Sequence, residues 1–138
     1  MQRIRKVMSK LSLLEDNILQ LERLKIKHKD NPDFFSEKTN EWALRYGFLE
    51  SIQIIIDISC DISTTYNLGN PKNSRECIEI LATNKYLSSS LSETLAKMVG
   101  LRNLLAHEYA KINIKQLASF LNRITDFKKF ISEVSEYY

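Results

Sequence analysis

Within LRNLLAHEYAKI, residues 101–112, the chain gathers four side chains suited to work on a phosphate: Arg102, Asn103, His107 and Tyr109. His107 is one of two histidines in 138 residues, and an imidazole gains or loses its proton near neutral pH. Arg102 adds a fixed positive charge on a planar fork of donors that matches phosphate oxygens. The pair offers the chemistry of RNA cleavage. A neutral imidazole takes the proton of a 2′-hydroxyl, the freed oxygen attacks the neighbouring phosphorus, and the guanidinium offsets charge growing on the phosphoryl oxygens. Asn103 would orient the histidine or hold a phosphate oxygen, and no metal or other cofactor is required.

The spacing sets a condition. Five residues along an ideal α-helix turn through ~140° and rise ~7.5 Å, so one continuous helix points Arg102 and His107 apart. Either the helix ends between them, or a two-fold related subunit brings a second copy alongside, whose histidine would protonate the leaving 5′-oxygen. Structural roles stay open beside this. Histidine and arginine near a helix C-terminus both favour the dipole and its free carbonyls, and a tyrosine such as Tyr109 often serves as a core or interface aromatic.

Other chemistries find little support. His28 and His107 are far apart in sequence, no HExxH or paired-carboxylate spacing occurs, and there is no glycine-rich phosphate loop or G-x-S-x-G. Cys60 and Cys77 stand outside any C-x-x-C pattern and read as unpaired small hydrophobes, which fits a reducing cytoplasm. The net charge of +3, with 20 basic residues interleaved among 17 acidic ones, permits a nucleic-acid partner without arguing for one. The basic N-terminus is interrupted by Glu15 and Asp16, so it is expected to stay in the mature protein. IQIIIDI is broken by Asp57, and no run approaches the ~20 apolar residues of a membrane span.

Elements that must position the motif follow from periodicity. Three glycines and two prolines in the chain favour long helices, and residues 1–138 read as one all-α domain, an up-and-down bundle of about five helices. Ile4, Val7, Leu11, Leu14, Ile18, Leu21 and Leu24 recur at steps of three and four, predicting a helix from residue 2 to His28. A second helix begins between Asp33 and Thr39 and runs from Trp42 to about Thr65, so apolar around its circumference that it must be central. Within it Asp57 either supports an active-site group or serves capping and packing. YNLGNPKN is a loop, Ser74 the expected cap of a short third helix, and Ser90 with Glu93 a capping box opening the fourth. Gly100 inside that helix predicts close packing. Asn113 with Gln116 caps a last helix reaching near Tyr137.

R-x-x-x-x-H-x-Y with a polar residue after the arginine is the signature of the HepT toxins of the HEPN superfamily, and Arg102, Asn103, His107 and Tyr109 fill it. The chain resembles that family further in ALRYGFLESIQIIIDIS, LGNPKNSRECIEILATNKYLS and KMVGLRNLLAHEYAKIN, most of it from about residue 40 onward. The resemblance implies a HEPN-like helical bundle that forms a homodimer with both motifs facing a cleft. It implies the toxin of a type VII toxin–antitoxin system, a metal-independent endoribonuclease. It also implies a cognate MNT-type nucleotidyltransferase antitoxin that silences the toxin by adding AMP to Tyr109, with Arg102 and His107 catalytic and Asn103 supporting. Higher oligomers with the antitoxin are open, and tRNA and mRNA are both open as substrates. The alternative is a non-catalytic HEPN binding module, a scaffold for a nucleotidyltransferase.

Overall fold

The computed structural model describes the backbone of residues 2–137 and the side chains of residues 4–137. All regular structure among the described residues is helical: α1 (Gln2–His28), α2 (Lys38–Thr65), α3 (Ser74–Thr83), α4 (Ser89–His107), α5 (Ile114–Ser119) and α6 (Ile124–Ser135). A 3-10 turn over Phe120–Arg123 joins α5 to α6. These three segments follow the path expected for one last helix, so five helices account for the bundle.

Burial follows the predicted stripes. On α1, Val7, Leu11, Leu14, Ile18, Leu21 and Leu24 are buried, while Ile4 at the end of the stripe is 40% exposed. α1 stops where Asn31 folds an Asx turn, its Oδ1 accepting from the Asp33 amide at 3.0 Å. His28 is used in packing here, edge-on to Phe34 with ring centroids 5.0 Å apart. α2 is the central helix, packed against α1, α3, α4 and α5, with Leu44, Phe48, Ile52, Ile55, Ile58 and Ile62 almost fully buried. Its buried serines are satisfied inside the helix, Ser59 donating to the Ile55 carbonyl at 2.8 Å and Ser63 to that of Ser59 at 2.9 Å. Gly47 lets α1 and α2 touch, since a Cβ there would fall 2.8 Å from Leu21 Cδ2.

Five expectations are corrected. Trp42 does not join the buried face of α2; it is 62% exposed, because that first stretch of the helix has solvent on one side. Asn73, not Ser74, caps α3, its side chain accepting from the Glu76 amide at 3.0 Å; the helix starts one residue earlier than the serine cap required. The Ser90–Glu93 capping box does not form. α4 begins at Ser89, Ser88 is its N-cap residue, and the orphan donors there reach across the fold, the Ser88 amide and hydroxyl meeting Glu133 at 2.6 and 3.3 Å. Gly100 packs against nothing: a Cβ there meets no atom within 4 Å.

The fifth concerns the cysteines. Cys60 of α2 and Cys77 of α3 form a disulfide, their Cα atoms 4.9 Å apart, within the usual span of such bridges. Seventeen residues of sequence and a turn of the chain hid the pair. The bond removes the support that unpaired cysteines gave to a reducing compartment.

Candidate functional site

The second half of α4 presents the motif. Leu101 and Leu105 are buried and fix the helix to the core, Arg102 is half-buried, and Asn103 and His107 are exposed. The helix continues through His107, with the Glu108 amide still donating to the Leu104 carbonyl at 2.8 Å. One of the two conditions for cooperation is thereby closed, because no helix end falls between Arg102 and His107.

Arg102 reaches toward the start of α3, where its Nη2 donates to Ser74 Oγ at a long 3.4 Å. Its Nε is buried and has no hydrogen-bond partner among the described residues. The long Nη2 contact is weak and leaves that donor available to an incoming anion. Ser74 is held for that contact by the Asn73 cap and by the Cys60–Cys77 bridge three residues farther on.

Tyr109 follows the helix end in a short 3-10 turn, Tyr109–Lys111, and is 66% exposed. It is not a core aromatic. The turn is held through its backbone: Arg45 Nη1 donates to the Tyr109 carbonyl at 2.9 Å while Arg45 Nε bonds Glu41 at 3.0 Å. The C-terminus of α4 therefore lies against the start of α2. One residue on from Arg45, Tyr46 donates its hydroxyl to Glu50, whose other oxygen accepts from Asn17 at 2.8 Å. That hydrogen bond, and then the carboxylate's negative charge, push the Tyr46 phenol above its usual pKa.

Asp57 sits half-buried on α2 and accepts from Gln53 Nε2 at 2.9 Å, one turn away. The structure thus brings Arg102 to Ser74 and Tyr109 to Arg45, and gives Asp57 a local partner on its own helix. Ser74 and Arg45 were missed as parts of the site. Arg45 left a trace in the sequence, a cation interrupting the most apolar helix; Ser74 left none apart from its place as a presumed cap.

Among the described residues no three His, Cys, Asp or Glu side chains gather as a metal site, and no helix is long and apolar enough to cross a membrane.

The sequence profile of the family described as Ribonuclease HepT-like matches residues 14–134. The mRNA nuclease HepT of Shewanella oneidensis is 29% identical over 115 residues, 83% of this chain and 86% of that protein. Among solved structures, the tri-AMPylated Shewanella oneidensis HEPN toxin in complex with MNT antitoxin is 26% identical with a TM-score of 0.84, over 94% of this chain and 96% of that one. YutE of Bacillus subtilis, a cytosolic protein of unknown function, is 19% identical with a TM-score of 0.82 over 96% and 88% of the two chains. At that identity the likeness shows the fold alone.

Proposed function

This chain belongs to the HepT-like ribonuclease family, matched over residues 14–134, and on that premise we propose that it is the endoribonuclease toxin of a type VII HEPN/MNT pair. The observation that carries the reading is that this match contains Arg102, Asn103, His107 and Tyr109 in the order of the motif. Residues 1–138 then constitute one HEPN domain.

His107, exposed at the end of α4, accepts the 2′-hydroxyl proton. The 2′-oxygen bonds to phosphorus, the bond to the 5′-oxygen breaks, and that oxygen leaves with a proton. Arg102 donates to the phosphoryl oxygens as their charge grows, through the Nη2 that now makes only a long contact to Ser74. Asn103 steadies the phosphate, and Asp57 acts indirectly by holding Gln53 on its own helix, α2, which packs against α4. No step consumes a metal ion. The continuity of α4 supports a two-fold dimer, because a second copy of His107 is the proton donor that a single helix cannot aim. The exposed aromatic rings of α2, Trp42 and Tyr46 at 62% and 53% exposed, offer a surface for that contact.

Silencing follows from Tyr109. Its phenol oxygen attacks the α-phosphorus of ATP on a cognate MNT-type nucleotidyltransferase, pyrophosphate leaves, and AMP remains on the tyrosine. The bound phosphate then brings negative charge and bulk to the cleft where Arg102 meets substrate phosphate. Support comes from the exposure of Tyr109 and from the AMPylated state of the Shewanella oneidensis toxin.

The test is cleavage of RNA by purified protein in the presence of a chelator, leaving 2′,3′-cyclic phosphate and 5′-hydroxyl ends. His107→Ala is expected to abolish it with an unchanged circular dichroism spectrum. Cleavage persisting in that folded variant would overturn the mechanism.

A further inference from the structure

A groove of ≈ 200 Å³ runs between α4 and α5 and has no part in the chemistry above. Gly100 lies along it, with open space where a Cβ would project. Leu104, Ile112 and Phe120 line its sides, and Lys97 and Lys111, both largely exposed, flank it. Gly100 precedes His107 by seven residues, which on an α-helix is two turns, ~10 Å along the axis and within ~20° of the same face. Leu104 stands between them on that face. The groove is therefore a continuation of the surface that carries the imidazole.

Its chemistry narrows the occupant. The volume lies below the ~300–1,000 Å³ of sites for drug-sized ligands, so it suits a single ring system. Phe120 supplies an aromatic face whose ring is steadied edge-on by Phe48, with centroids 6.2 Å apart. Both lysines pair only with exposed carboxylates, Lys97 at 3.8 Å from Glu93 and Lys111 in a 3.2 Å hydrogen bond to Glu108. Such exposed pairs are weak and yield readily to a phosphate. Apolar walls between two lysines match a base with its flanking phosphates, the lysines carrying the charge that a phosphate complements.

We propose that this groove holds one base of the RNA, from a nucleotide adjoining the cleaved bond, with Lys97 and Lys111 on the neighbouring phosphates. The inference rests on the ribonuclease reading. It gives the chain the base-stacking surface that the sequence alone did not reveal.

Gly100→Leu tests it, since leucine fills the groove from a position where nothing is displaced. The probe is a short RNA made uncleavable by 2′-deoxy substitution, with binding followed by fluorescence anisotropy. Gly100→Leu is expected to weaken binding about tenfold, the scale of losing one stacked base, while Gly100→Ala keeps near-normal affinity and shows that the helix tolerates substitution. An abasic residue placed at successive positions should weaken the unsubstituted protein at one position, and Gly100→Leu should remove that sensitivity. Unchanged affinity in Gly100→Leu, with the abasic penalty retained, overturns the proposal while leaving the ribonuclease reading intact. So does loss of the dimer by light scattering with RNA affinity unchanged, which would assign the groove to a second copy. An unsubstituted protein that neither binds nor cuts any RNA overturns both.

Discussion

Arg45 holds Tyr109 by its main chain. The guanidinium of the central helix donates to the carbonyl of residue 109 at 2.9 Å, so the tyrosine is mounted without any demand on its phenol. Two consequences separate cleanly. Tyr109→Phe should retain the melting temperature of the parent and accept no AMP, as read by intact mass after incubation with the nucleotidyltransferase and ATP. Arg45→Ala should cost about 1 kcal/mol, the scale of one partly exposed charged hydrogen bond. It should also raise amide exchange over residues 108–112 and slow modification although the phenol is present. Equal exchange in the two variants would show that the clamp does not order the turn.

Arg102 is expected to resist replacement by lysine. Its Nη2 reaches Ser74 from a planar fork whose stem is half-buried, and an ammonium on a flexible stem does not reproduce that direction. Arg102→Lys should lower kcat about a hundredfold, the usual loss for a group stabilising phosphoryl charge, with little change in melting temperature. Ser74→Ala should cost far less, because it removes one long hydrogen bond and leaves the charge. Single-turnover cleavage measures both.

Alkaline conditions probe the residue that follows Arg45 on α2. The Glu50 hydrogen bond raises the Tyr46 pKa in the folded state, so folding favours the protonated phenol. That contribution is fully present below the unfolded tyrosine value of about 10 and is lost as pH rises through the higher folded value. Tyr46→Phe should therefore reduce stability at neutral pH and flatten its fall in this alkaline window. Parallel stability curves for the two proteins across that window would exclude the linkage.

The disulfide makes a quantitative prediction. Closing a loop over a sequence separation of 17 stabilises by about 3 kcal/mol through the unfolded chain. Cys60→Ser with Cys77→Ser, or reduction of the unsubstituted protein, should lower the denaturant midpoint accordingly. Thiol alkylation under native, non-reducing conditions should add no mass.

Whatever repeats along the chain was legible, and what depends on a distant partner was not. The stripe on α1 was readable because burial imposes the same residue class every three or four positions. The Asn113 cap was readable because donor and acceptor lie within three residues, its side chain accepting from the Lys115 and Gln116 amides at 2.9 and 3.2 Å. Ser88 resolves its helix start through Glu133, 45 residues away, so a local box at Ser90 was the nearer and incorrect reading. The cysteines failed for the same reason. Trp42 failed because an apolar side chain signals burial only on average. At the candidate site, the motif residues are marked out by type and spacing, whereas the groups that touch them, Arg45 and Ser74, belong to other helices that only the fold brings near.

The bridge between Cys60 and Cys77 also changes the chain as a mechanical object. Seventeen steps of sequence lie inside a covalent ring, so tension applied at the two ends bypasses the loop and most of the α3 N-terminus. The oxidised molecule is shorter at full extension by about 50 Å than the reduced one. A motor drawing it through a narrow pore would meet a knot-sized obstacle at the ring, two chain segments abreast, until the sulfur–sulfur bond is broken.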